Sequence, residues 1–206
     1  GSGFERGEIV TVNVSATDSV SNATKLKLTV AGATSFTETR QFGPTASRNE
    51  TFTFSVSSGA SVGGTISLLV QAEDSGGQLS VPVTRNLVVV DRTAPNVLVQ
   101  APAPRALYNF GDTVQISVSG SDAVGVSQLR FEATGALTQS GSFTVAPAQN
   151  LTGTTFSLTI PFNLTSPDIV LRAFARDAAG NEGASIGVPI LITGADITPP
   201  ETVATA

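Results

Sequence analysis

The chain of 206 residues contains no cysteine, histidine, methionine or tryptophan. Without cysteine and histidine it has no thiolate nucleophile, no imidazole base and none of the ligands that usually build a zinc site, and disulfide bonds are excluded. Most catalytic mechanisms therefore lack their usual reagents, and we expect no enzymatic activity.

Positive charge is also scarce, since 11 Lys and Arg residues stand against 16 Asp and Glu residues and give a net charge of −5. No basic cluster could hold a phosphate backbone, so we expect no nucleic-acid partner. No run approaches the roughly 20 apolar residues of a spanning helix, and no charged-then-apolar leader opens the chain, so we expect no membrane insertion of this segment. Abundant serine and threonine with few lysines are typical of secreted bacterial surface proteins, which predicts an extracellular location.

Alternation of apolar and polar residues is the main pattern that is present. Val10, Val12 and Val14 alternate with polar neighbours, as in a half-buried strand, and similar short runs recur between turn signals. The fold class predicted is all-β, as two immunoglobulin-like sandwiches. The predicted strands are 8–17, 23–32, 35–43, 50–58, 65–73 and 79–90 in the first half, and 95–101, 112–121, 126–134, 138–146, 153–162, 168–176 and 184–193 in the second.

The second half repeats the first at an offset of about 104 residues, a period that suits one small β domain. For example, Gly7-Glu8-Ile9-Val10 aligns with Gly111-Asp112-Thr113-Val114. Equivalent inward positions predict two separate cores. The core residues expected are Val12, Val14, Leu28, Phe54, Leu68 and Ala72, with their counterparts Ile116, Val118, Phe131, Leu158, Leu171 and Ala175.

The repeat predicts three segments: a module at 1–91, a module at 92–195, and a linker at 196–206 that starts the first strand of a further module. About 20 residues separate Asp91 from Gly111, whereas six precede Gly7, so the first module is expected to begin without its first strand. We expect residues 199–206 to complete the first module of the next copy, either within one long chain or as a tail donated to a separate subunit. Neighbouring copies of the module are thus the expected partners.

The segments Val118–Val126 and Ala173–Asn181, with the Asp-x-Thr-Ala-Pro linker at 91–95, resemble bacterial immunoglobulin-like repeats. The resemblance implies a role in adhesins, secreted enzymes or phage proteins, where such modules are spacers. The first copy departs from the pattern, because Asp18-Ser19-Val20-Ser21-Asn22 lacks the glycine and Asp74-Ser75-Gly76-Gly77-Gln78 replaces the second motif.

Several carboxylates lie where this fold would bring loops together. One predicted group is Asp91, Asp122 and Asp177 with Glu8; the other is Asp112 and Asp196 with Asp18 and Asp74 of a following copy. Carboxylates that converge repel each other unless they share a hard cation, so calcium at the linkers is one hypothesis. The alternative is that Asp122 and Asp177 form turns, by accepting hydrogen bonds from amides two residues on before a glycine that turns the chain.

Three functions are open at this point. The first is a structural stalk or spacer in a repetitive surface or fibre protein of the adhesin kind. The second is a module that binds a host or matrix protein, and the third is an accessory domain of a secreted hydrolase.

Overall fold

The computed structural model describes residues 2–164 and 166–193. These residues form β-strands and turns and include no helix, so no helix of the described part is long and apolar enough to cross a membrane. The chain divides into two compact units, Gly1–Arg92 and Thr93–Ala206. This division lies next to the predicted boundary at 91, and the domain limits themselves stay a prediction.

Seven strands lie in the part of the first unit that the structure describes: β1 (Gly3–Phe4), β2 (Ile9–Thr17), β3 (Ala23–Gly32), β4 (Phe36–Thr45), β5 (Ser47–Ser55), β6 (Thr65–Asp74) and β7 (Val83–Val89). A five-stranded sheet has the order β1-β7-β6-β3-β4, and β2 pairs with β5 in a second sheet. The pairing of β1 with β7 is parallel and all the others are antiparallel. Because apolar residues alternate along β3 and β5, Leu26, Leu28, Phe52 and Phe54 face one common core.

The described residues of the second unit also form seven strands: β8 (Asn96–Ala101), β9 (Ala106–Asn109), β10 (Thr113–Gly135), β11 (Gln139–Thr159), β12 (Asp168–Asp177), β13 (Glu182–Ala184) and β14 (Val188–Thr193). The sheet path is β11-β10-β12-β14-β9, with β8 paired to β10 and β13 to β12. Its core is formed by residues such as Ile116, Leu129, Leu158, Leu171 and Ile190, none of which exposes any surface. Both units are therefore all-β, as predicted.

The long strands β10 and β11 each join two strands that were predicted to be separate. The register of the β10–β11 pair shifts between Ser121 and Val126, so hydrogen bonding resumes after an irregular corner. Gly125 lies at this corner with φ of 105°, a conformation that side chains with a Cβ rarely adopt. The same two strands therefore pair on both sides of this corner.

The burial predicted for the core is correct in the second unit and partly wrong in the first. Leu28, Phe54, Leu68 and all six second-unit counterparts are buried. In contrast, Val12, Val14 and Ala72 are only half-buried. Their counterparts lie near β8, whereas no described strand of the first unit occupies that position.

Candidate functional site

Asp18 and Asp122 occupy the same turn in the two units. Oδ1 of Asp18 accepts hydrogen bonds from the amides of Val20 (2.9 Å) and Ser21 (3.2 Å). Oδ1 of Asp122 accepts the equivalent bonds from Val124 and Gly125, at 2.7 and 3.2 Å. Each aspartate therefore stabilises the turn that it begins, as a turn-forming residue does. This turn follows β2 in the first unit and lies within β10 in the second.

Asp74 and Asp177 close the turns at the ends of β6 and β12. Oδ1 of Asp74 accepts a bond from the amide of Gln78 at 2.8 Å. Asp177 is 2 % exposed, and its carboxylate accepts bonds from the Gly180 and Asn181 amides and from the Asn181 side chain. These bonds compensate for the burial of the Asp177 carboxylate.

Glu8 and Asp112 stabilise a third turn that occurs in both units. The Glu8 carboxylate accepts a bond from the amide of Glu5 at 2.7 Å, and the Asp112 carboxylate accepts one from the amide of Asn109 at the same distance. Glu8 also lies 3.8 Å from the guanidinium of Arg92. Since all three turns recur in both units, they are properties of the module and not of one copy.

Six of the eight carboxylates predicted as calcium ligands therefore accept hydrogen bonds from backbone amides in turns, among them the two predicted as turn formers, Asp122 and Asp177. Asp91 follows β7 and is half-buried, and Asp196 lies outside the described residues. Within the second unit, Asp122 and Asp177 place carboxylate oxygens within 4.8 Å of each other. A calcium ion bound by this pair stays a prediction.

Two serines that the sequence reasoning missed form a further repeated contact. The hydroxyl of Ser80 accepts a bond from the Ala72 amide and donates to the Val81 carbonyl. Ser185 does the same between the Ala173 amide and the Ile186 carbonyl. The shared pattern Ser-aliphatic-x-Val, at 80–83 and 185–188, was the signal available.

An open groove of about 510 Å³ lies in the first unit between the ends of β2 and β6. Its walls include Ala16, Thr17, Ala72, Glu73 and Leu79. Asp18 and Asp74 also line this groove.

Residues 95–166 match the model of a family described as bacterial Ig domain. This match bears out the resemblance to bacterial immunoglobulin-like repeats. No curated protein matches the chain significantly.

Several solved structures resemble this chain at low sequence identity. A D1–D4 ectodomain fragment of ICAM-5 is 18 % identical with a TM-score of 0.51, over 93 % of this chain and 52 % of that one. Fibronectin(III)-like modules of CbhA from Clostridium thermocellum are 19 % identical with a TM-score of 0.41, covering 99 % of this chain and 95 % of theirs. A tetra-tandem repeat from the extending region of a large adhesion protein is 18 % identical, with a TM-score of 0.38, over 90 % and 48 %. The ICAM-5 likeness supports the immunoglobulin-like fold alone.

Proposed function

We propose that this chain is a non-catalytic spacer segment of a repetitive extracellular bacterial surface or fibre protein, of the adhesin kind. The observation that supports it most is the repetition, within one chain, of the same fold with the same three fastened turns. The match of residues 95–166 to a bacterial Ig domain supports a bacterial surface setting. A spacer needs stable modules in series and no chemistry of its own.

The turn contacts suit this role for a physical reason. Loops in small sandwiches are the first segments to open, and each local opening lowers resistance to proteases and force. Here the carboxylates of Asp18, Asp74 and Glu8, and their second-unit counterparts, bind loop amides. Loops held by these hydrogen bonds should open less often, which should make the protein more resistant to extracellular proteases.

The spacer role is tested by changing the number of modules. An epitope tag is displayed on a bacterial surface at the end of one, two or three copies of this chain, and its distance from the membrane is measured by fluorescence localisation. The height should rise in equal steps with each copy. A control replaces the copies with Gly/Ser linkers of equal length, which behave as flexible coils and should give a smaller, sublinear rise. An unchanged height in the module series would refute the spacer role.

The two alternative functions have distinct outcomes in the same system. A binding module would retain a host or matrix protein on the displaying cells, with an amount that depends on copy number. An accessory domain would change the activity of an attached secreted hydrolase, and this change would not depend on the height of the tag. Because proteins with the immunoglobulin-like fold have all three functions, the fold does not distinguish between them and the assay is needed.

Calcium binding at Asp122 and Asp177 is a separate proposal. Two carboxylates within 4.8 Å repel each other, and a shared hard cation removes that repulsion. Tyr108 is the chain's one tyrosine and packs against the second core, so its fluorescence reports the melting of this unit in a protein without tryptophan. Calcium at about 100 times its Kd should stabilise the unit by about 2.7 kcal/mol relative to chelator.

The matched variant is Asp122→Asn, because an amide oxygen can still accept the turn bonds while the charge is lost. This variant should melt at the same temperature with calcium and with chelator. Equal melting temperatures for the unaltered chain under the two conditions would end the calcium proposal.

A further inference from the structure

Polar side chains form a row across three strands of the second unit. Gln128 of β10 lies opposite Thr144 of β11 on one side and opposite Arg176 of β12 on the other. Ala175, the neighbour of Arg176 in the strand, is buried in the core, so the row points outward. Adjacent strands are about 4.8 Å apart, which gives the row a width of about 10 Å. With the turn at 177–180, the row lines an open hollow of about 490 Å³.

The ion pairs on this outward face leave two arginines without a partner. Glu132 lies opposite Arg172 in the pairing of β10 with β12, and Glu182 lies opposite Arg176 in the pairing of β12 with β13. Both carboxylates nevertheless form their ion pairs with Arg130, that of Glu182 at a distance of 3.4 Å. Among the described residues, the guanidinium groups of Arg172 and Arg176 therefore have no ion pair or hydrogen bond, and both residues are exposed.

Stacking on an aromatic ring keeps Arg130 in this central position. Its guanidinium carbon lies 4.0 Å from the centroid of the Phe174 ring, which is within the range of a cation–π interaction. Phe174 separates Arg172 from Arg176 along β12, and four residues of a strand extend over about 13 Å. The face thus presents two unpaired positive charges along one strand.

The unpaired groups define the chemistry of a ligand. A guanidinium binds a carboxylate through two parallel hydrogen bonds. The side chains of Gln128 and Thr144, which have no hydrogen bond within the described part of the chain, can bind sugar hydroxyls. Because β10 and β12 each have a strand on both sides, their backbone groups are already paired and cannot bind a peptide as an added strand. A polysaccharide with carboxylates on its sugar units fits these groups better than a peptide does.

The first unit carries the opposite charge at the equivalent position. Glu73 lies opposite Lys25 on β3, as Arg176 lies opposite Gln128 on β10. Lys25 and Glu73 form an ion pair of 2.6 Å, and both line an open hollow of about 370 Å³. The Glu73 carboxylate neutralises this lysine and repels an anionic ligand. The first unit is therefore an internal reference in which binding should be much weaker.

We propose that this face of the second unit binds a polysaccharide that carries carboxylates, such as a polyuronate. Arg176 binds one carboxylate in the hollow, and Gln128 and Thr144 bind hydroxyls of the same sugar unit. Arg172 binds a second carboxylate further along the ligand chain. This binding activity goes beyond the spacer role, which requires no ligand.

Binding is tested by nuclear magnetic resonance on the whole chain, which is titrated with hexagalacturonate at about 0.15 M salt, where attraction between distant exposed charges is screened. Backbone amide resonances at 127–130, 142–145 and 172–178 should shift, while those of the first unit stay unchanged. Maltohexaose, a neutral chain of equal length, should cause no shifts. The proposal is overturned if hexagalacturonate shifts no amide of the second unit, or if it shifts the equivalent amides of the first unit equally.

Single substitutions test the role of Arg176. Arg176→Gln should raise the Kd at least about tenfold, since a hydrogen-bonded ion pair is among the stronger polar contacts. Arg176→Lys keeps the charge but loses the planar guanidinium, so it should raise the Kd by an intermediate factor. Arg105→Gln removes an exposed arginine of the same unit outside this face and should change the Kd by less than about twofold. Equal losses for Arg176→Gln and Arg105→Gln would indicate general charge attraction and overturn the site.

A peptide ligand and the spacer role have outcomes of their own. Hexaglutamate offers carboxylates on a peptide backbone, and binding as tight as that of hexagalacturonate would show that the assignment to a polysaccharide is wrong. Absence of binding together with tag height that rises with copy number would overturn the site and leave the spacer proposal intact. Binding that depends on Arg176 together with constant tag height would support the site and refute the spacer.

Discussion

Replacing Phe54 by alanine removes a large side chain from the first core. Phe54 is 5 % exposed, and its ring is stacked on that of Phe36 with centroids 5.8 Å apart. Removal of a buried phenylalanine usually costs about 3 to 5 kcal/mol through lost transfer energy and an unfilled cavity. The stacked pair adds roughly 0.5 to 1.5 kcal/mol beyond buried area, so we expect a loss near the upper part of that range.

The two units of one chain provide an internal reference for the assay. Hydrogen exchange by mass spectrometry on the whole protein gives separate opening free energies for β5 and for β11. The variant should lower the value for β5 by about 3 to 5 kcal/mol and leave β11 unchanged, because distant sites act independently. Thr53→Ala is the matched control on the same strand, since Thr53 is exposed and should change stability by less than about 0.5 kcal/mol. A loss below about 1 kcal/mol at Phe54 would show that its assignment to the core is wrong.

Two other predictions concern the glycines at positions 32 and 135 and the ion pairs of Glu50. Gly32→Ala and Gly135→Ala should each destabilise their own unit by more than about 1 kcal/mol in urea unfolding, because both glycines have positive φ. In addition, a Cβ at position 32 would lie 2.3 Å from the carbonyl oxygen of Thr65, and a Cβ at position 135 would lie 2.5 Å from that of Asp168. Gly43→Ala, where no atom lies within 4 Å, should be close to neutral, and a similar loss there would contradict the steric argument. Hydrogen bonds from Arg40 and Arg48 lower the pKa of Glu50 below its ordinary value of 4.5, so its contribution to stability is present above that value and is lost as the pH falls through the lower folded pKa. Urea midpoints measured between pH 6 and pH 3 should therefore fall less steeply for Glu50→Gln than for the unaltered protein, and parallel curves would show that the ion pairs do not couple to folding.

The sequence by itself determined the strand content, the repeat and the turn-forming aspartates. These features depend on local rules, because alternation places side chains on two faces and a short acidic side chain binds amides a few residues on. Strand β3 has the predicted limits 23–32, and Asp122 accepts a hydrogen bond from the amide two residues on, as expected of a turn former. The immunoglobulin-like class followed from the same patterns.

Tertiary structure alone decided which strand edges and which apolar residues are covered. Val14 and Val118 have the same place in the alternation, yet one is half-buried and the other is 1 % exposed. The short parallel strands β1 and β9, and the pairing of β10 with β11 on both sides of Gly125, were likewise not predicted. Each of these features depends on a partner strand that is distant in the sequence, so no local pattern around the residue itself contains the information.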